Sequence, residues 1–153
     1  MSFIALPEET PGTTLTNSAF FPDIDTDAAR KAMRVVEMVT DERLAAALKS
    51  AMAYVNGQLR PYRERQEAAG FATLENIPAE EIAGESVKVS RYIEAVQSWA
   101  TAQLIEEYTT LDITNTGQKR AEMQTPVIDG HRRDAYWAIM DLQGKPRTVA
   151  ELI

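Results

Sequence analysis

An all-α fold, a small bundle of about four helices, is what this sequence predicts, and three observations carry the expectation. Apolar residues recur at three- and four-residue steps over four separate stretches, the spacing of one helix face. Cap-forming residues precede several of these stretches, and glycines follow two of them. The chain has 153 residues, 44% of them hydrophobic and none of them cysteine. That length suits one domain and buries roughly 70% of the surface of the unfolded chain without a covalent staple.

The expected order begins with a flexible N-terminal tail over residues 1–18. Its run PEETPGTTLTNS is rich in Pro, Gly, Thr and Glu and has no apolar rhythm. AFFPDIDTDAARKAMR follows. Asp25 or Thr26 suits an N-cap, and Asp27 suits a first turn, where the helix macrodipole favours negative charge. Met33, Val36 and Glu37 carry this first helix to about Val39. Phe20 and Phe21 before Pro22 have two readings: a hydrophobic clamp on the chain's own bundle, or a subunit-to-subunit contact.

Thr40 caps a second helix, with Asp41 and Glu42 in its first turn. Leu44, Leu48, Ala51, Met52, Val55, Leu59 and Tyr62 form its stripe. Pro61 removes a helix hydrogen bond and crowds the carbonyl four residues back, at Gly57. One kinked helix is expected, running to about Ala69 and stopping at Gly70. Residues 71–84 read as a packed loop, with Phe71, Leu74, Ile77 and Ile82 as its anchors.

Ser86 caps a third helix. Its stripe (Val89, Tyr92, Ile93, Val96, Trp99, Ala100, Leu104, Tyr108, Leu111) is the clearest in the chain, which makes it the expected central element. DITNTGQKRAEMQ, residues 112–124, reads as an exposed loop. Thr125 and Pro126 suit N-cap and N1 of a fourth helix. Ile128, His131, Ala135, Ala138, Ile139 and Leu142 share its face, and Gly144 ends it. Residues 19–146 are thus the bundle domain, and 147–153 form a C-terminal segment with uncovered apolar residues.

The chemistry is sparse. Without cysteine there is no disulfide, thiolate site or cysteine nucleophile. His131 is the only histidine; a Ser–His–Asp triad would have to be built on it, and in mid-helix near the apolar face it reads as a helix-packing residue, while a carboxylate-bridged di-iron site or a zinc site lacks its ligands. No Gly-rich phosphate loop occurs. Glu80-Glu81 and Glu106-Glu107 read as solvated charge. The RPYRER run at 60–65 mixes arginine with tyrosine, as a surface stacking on nucleic-acid bases would, but with glutamate interleaved it reads as a solvated face or a subunit contact. The net charge of −7 disfavours gripping DNA phosphates. The first residues lack a basic region and a long enough apolar run for a signal peptide, and no stretch approaches the roughly 18 apolar residues of a membrane span. A binding or assembly module, with no catalytic, cofactor or metal residues, is the reading that remains.

Several stretches together resemble the GPL family of head completion proteins from contractile-tailed bacteriophages. They are FFPDID with Arg30, Met33 and Arg34; R.AAALKSAM..VN..L over 43–59; GF.TL..IPAEEI.GESVKV over 70–89; and Y..AV..WATA.L.E.Y from Tyr92 to Tyr108. D.T..G from Asp112, RRD..WAI over 132–139 and KPR near the end complete the set. The resemblance implies a structural, non-enzymatic subunit. It would form a connector ring, dodecameric in the virion, beneath the portal protein. The ring would close the filled head and present a platform to a tail completion or terminator protein. Packaged DNA would pass nearby without specific binding, no membrane would be involved, and assembly would take place in the host cytoplasm. A transient helical assembly chaperone, absent from the virion, is the alternative. Phe20, Phe21, Arg147, Val149, Leu152 and Ile153 are the candidate partner-contact residues, with 147–153 expected to reach the portal.

Overall fold

A computed structural model describes residues 12–35, 37–110 and 115–147. It is largely all-α, with two small two-stranded sheets. In chain order the elements are β1 (Thr14–Leu15), β2 (Ile24–Asp25), α1 (Thr26–Met33), α2 (Asp41–Gln58), α3 (Arg60–Ala68), β3 (Glu81–Ile82), β4 (Glu85–Ser86), α4 (Val87–Thr110) and α5 (Asn115–Gln143). A single 3₁₀ turn spans Leu74–Asn76.

The helix starts follow the sequence. Asp25 caps α1 by accepting from the Ala28 N–H at 2.9 Å. Thr40 caps α2 by accepting from Arg43 at 3.3 Å. The Ser86 hydroxyl accepts from Lys88 at the start of α4. Each satisfies a donor that has no intrahelical partner.

Three helices end in the same device. A residue one or two positions past the helix adopts a left-handed conformation, its N–H bonds back three residues, and the next N–H bonds back five. Gly70 (φ 97°) and Gly144 (φ 67°) do this after α3 and α5. Arg34 (φ 53°) does it after α1, where no glycine signals the end. The first helix therefore stops at Met33 and not near Val39. A left-handed non-glycine residue costs about 1 kcal/mol or more. The stretch beyond it is tied back by Arg30, whose guanidinium donates to the Val39 carbonyl at 2.9 Å and to Asp41 at 2.8 Å.

Four other expectations change. The anticipated kink near 57–61 separates two helices, α2 and α3, at Leu59 (φ −92°, ψ 3°), with Pro61 in the first turn of α3. In the 71–84 stretch Leu74 and Ile77 are buried and Phe71 packs against the core, but Ile82 is 63% exposed. Ile82 stands in a hairpin whose turn residues Ala83 and Gly84 both have positive φ, the geometry of a two-residue type I′ turn. The loop expected over 112–124 is helical from Asn115, and Pro126 lies inside α5 rather than at its start. Thr125 does not cap; its hydroxyl donates back to the Ala121 carbonyl at 3.1 Å. Finally, the tail expected over 1–18 is drawn in at its C-terminal end, where Leu15 pairs with Ile24 and is buried in the core.

The expectation of a central third helix holds. α4 runs antiparallel to α5, since Lys88 reaches the Leu142 carbonyl while Arg132 meets Glu106. It also runs antiparallel to α2, since Arg43 lies over Tyr108 while Asn56 meets Tyr92. Tyr92, Ala95, Val96, Ala100 and Leu104 fill the space between the layers and are buried. Leu111 and Val36, assigned to the stripes from sequence, lie outside the described residues.

Candidate functional site: an aromatic clamp, an open cleft and a C-terminal exit

The FFPDID segment is held by packing and by a closed polar circuit. Phe20 and Phe21 are 3% and 4% exposed, with ring centroids 5.0 Å apart and edge-to-face. Phe21 stacks on Tyr92 at 4.8 Å and 12° between planes. The Phe20 carbonyl accepts from the Leu74 N–H at 2.9 Å, which pins the 71–77 loop to the same spot. Both rings are therefore packed within the chain, as a clamp requires.

Behind them three side chains close a ring of hydrogen bonds. The Asn17 amide donates to the Tyr92 hydroxyl at 2.7 Å; that hydroxyl donates to the Asn56 carbonyl oxygen at 2.6 Å; the Asn56 amide donates to the Asn17 carbonyl oxygen at 2.9 Å. Asn17 also donates to the Pro22 carbonyl at 2.7 Å. Residues 75 apart in sequence are thus joined, and the Tyr92 residue is fully buried. Polar groups in such a place are costly unless every one is paired. Sequence reasoning assigned Tyr92 to the apolar stripe and left Asn17 in the tail. Asn56 enters the sequence reading only within the 43–59 motif, because an asparagine in mid-helix has no local signature for a partner on another element.

Burial pushes the Tyr92 phenol up to about 12, against the smaller opposing effect of the Asn17 hydrogen bond. In the unfolded chain a tyrosine ionises near pH 10. The folded value is the higher of the two, so this stabilisation is complete below pH 10 and is lost as the pH rises through 12. The expected loss is about 2–3 kcal/mol, read as the difference in denaturant midpoint between wild type and Tyr92→Phe at pH 9 and at pH 12. The two curves should converge as the pH rises; a constant gap would contradict the assignment.

An open, mainly apolar cleft of about 670 Å³ lies where α1, α4 and α5 meet. One wall is the end of α1 and the segment after it, with Met33, Val35, Met38 and Val39. A second is the last part of α4, with Leu104, Ile105 and Tyr108; α5 adds Gly117, Gln124 and His131. Its charged lining residues are Arg34 and Arg120. Met38 is 79% exposed at the rim. Nothing in the sequence marked this cleft, because residues 33–39 read as a continuing helix.

At the opposite end of α5 the chain leaves through Arg147. Its guanidinium grips Asp141 with two bonds, at 2.9 and 2.5 Å, and lies 5.0 Å over the Trp137 ring. The hydrogen bonds from Arg147 hold the Asp141 carboxyl below its ordinary range, with further help from the charges of Arg147 and Arg91. Of the candidate contact residues, Phe20 and Phe21 are in the core and Arg147 is exposed just after α5; Val149, Leu152 and Ile153 lie outside the described residues. Among the described residues no cluster of His, Asp and Glu suits a metal ion, and no helix is long and apolar enough to cross a membrane. His131 stands half-buried in the cleft wall.

The chain matches the family described as phage head completion protein (GPL) over residues 15–153. It is 44% identical over 139 residues to the head completion/stabilization protein of Escherichia phage P2, covering 91% of this chain and 82% of that relative. No solved structure matches it. A match over nearly the whole helical bundle, together with that degree of identity, places the chain in the phage head completion protein (GPL) family.

Proposed function

We propose that this head completion protein acts as a subunit of a connector ring, dodecameric in the virion, that sits beneath the portal, closes the DNA-filled head and offers the tail its attachment platform. Kinship with a head completion/stabilization protein carries the reading. Two physical features support it. A ring needs one face of each subunit to complement a different face of its neighbour, and the open cleft and the C-terminal exit are two such unlike surfaces at opposite ends of α5. A channel for a sliding duplex must not hold phosphates, and a net charge of −7 repels them over roughly 8–10 Å at physiological salt. The function is mechanical: no substrate is transformed, and the protein remains in the particle.

The test is quantitative mass spectrometry of purified particles, paired with electron microscopy of particles made without this protein. The connector reading expects the chain in finished virions at a fixed ratio to the portal. In its absence it expects DNA-filled heads that leak or fail to join tails. A chain present during assembly and missing from the finished particle would make it a transient chaperone instead.

A further inference from the structure

We infer that, in the free chain, the cleft between α1, α4 and α5 is covered by the chain's own N-terminal segment, residues 1–11, which runs along α1 to reach it. The inference concerns the chain before it meets any partner, so it goes beyond the connector reading and stands or falls apart from it. The segment precedes the 15–153 span matched to the family, which makes the contact a property of this chain.

The heading of the segment is set by the residues that follow it. β1 pairs antiparallel with β2, with Leu15 opposite Ile24 and Thr14 opposite Asp25. The correspondence continues past the strands. The Thr13 carbonyl accepts from the Thr26 N–H at 3.1 Å, and Gly12 lies so close to Asp27 that a β-carbon there would collide with the carboxylate. Followed backwards from Leu15, the chain thus advances one residue along β2 and α1 at each step. Continued, this course leads to the C-terminal end of α1, where Met33 and Arg34 line the cleft.

Charge and length agree with that course. The segment MSFIALPEETP is acidic at Glu8 and Glu9, near its junction with Gly12, and apolar farther out at Phe3, Ile4 and Leu6. Pro7 and Pro11 favour an extended chain. Lys31 and Arg34 lie on the Asp27 side of α1, about 6 and 10 Å farther along it. Glu9 and Glu8 lie about 10 and 13 Å of extended chain from Gly12. The two carboxylates therefore come alongside two cations, neither of which makes an ion pair among the described residues. Leu6, Ile4 and Phe3 fall about 20–30 Å from Gly12, past the end of α1 and over the apolar lining. Met33 and Met38 there offer thioethers that adapt to aliphatic and aromatic side chains alike.

Two other occupants compete. Residues 148–153 start where Arg147 grips Asp141, about 15 Å along α5 from His131, and can reach that edge of the cleft. Among the described residues, no ladder like that of β1 and β2 directs them there. A second copy competes only at its own concentration, whereas a tethered segment faces the cleft at an effective concentration on the order of millimolar.

The chain has no cysteine, so Ala5→Cys carries a single nitroxide in the full-length protein, whose methionine methyl groups are labelled with carbon-13. The nitroxide should broaden Met33 and Met38 strongly at every protein dilution, while Met140, at the far end of α5, stays sharp. Adding Ile4→Asp and Leu6→Asp, which lie outside the bundle's own packing, should reduce that broadening about tenfold, because a carboxylate is costly to bury in an apolar cleft. The proposal is overturned if Met33 and Met38 stay sharp, if Met140 broadens equally, or if the two substitutions change nothing. It is also overturned if the broadening arises only between chains, when a nitroxide-bearing chain without carbon-13 is mixed with a labelled chain without nitroxide; the occupant is then a second copy. A nitroxide at Ala150→Cys that broadens Met33 and Met38 where the one at Ala5→Cys does not would overturn it in favour of residues 148–153.

Discussion

Tyr92→Ala is expected to destabilise the isolated chain by about 5 kcal/mol and to leave it largely unfolded at 37 °C. Removing a fully buried aromatic side chain costs about 3–5 kcal/mol through lost transfer energy and the cavity left behind. Here the loss does not stop at the ring. The hydroxyl is one of three members of a closed circuit, so its removal orphans the Asn56 carbonyl oxygen and one Asn17 amide proton. Each orphaned buried polar group adds about 1–3 kcal/mol unless water enters to replace the partner. Against a total stability of about 5–15 kcal/mol for a domain of this kind, that sum is most of the margin. Urea unfolding followed by far-ultraviolet circular dichroism measures it. A loss under about 2 kcal/mol would mean that the Tyr92 pocket is peripheral to folding.

Phe21→Ala should cost about 3–4 kcal/mol in the same measurement, made on the protein in dilute solution. Its ring is buried between Phe20 and Tyr92, so truncation opens a cavity in the place where the 12–25 segment, the 71–77 loop and α4 converge. The experiment also decides between the two roles that the sequence left open. A clamp costs the lone chain its stability. A ring used only against a neighbour would leave the melt of the lone chain unchanged and impair assembly alone. The double variant Phe21→Ala/Tyr92→Ala should cost less than the sum of the two, because both delete the same stacked contact.

The difference between the helix ends that were legible and the one that was not has a simple cause. Gly70 and Gly144 announce their turns because only glycine adopts positive φ freely. Arg34 takes the same conformation against its intrinsic preference, held by the Arg30 bridge to Val39 and Asp41. Such a bridge joins residues nine to eleven apart, and local propensity does not contain it. The missed cleft follows directly, since a helix continued to Val39 would put Met38 in a regular turn and remove the wall. Pro126 is the converse case. Its local signal, proline after threonine, is that of a helix start. Packing along α4 overrides it: Gly117, Ala121, Gln124 and Ile128 are at least partly buried, and the helix tolerates one missing backbone bond at an exposed turn.

By itself the sequence determined the all-α class, the cap at Thr40, a first cap at Asp25 or Thr26, the central place of the 87–110 helix and, through its motifs, the family. Those properties depend on residue type and on periodicity within single segments. The tertiary structure alone decided that Asn17, Asn56 and Tyr92 close a circuit, that α1 ends early to open a cleft, and that the C-terminal exit lies at the other end of α5 from it. Each is a relation between segments distant along the chain, set by which surfaces exclude water together, and no local pattern encodes it.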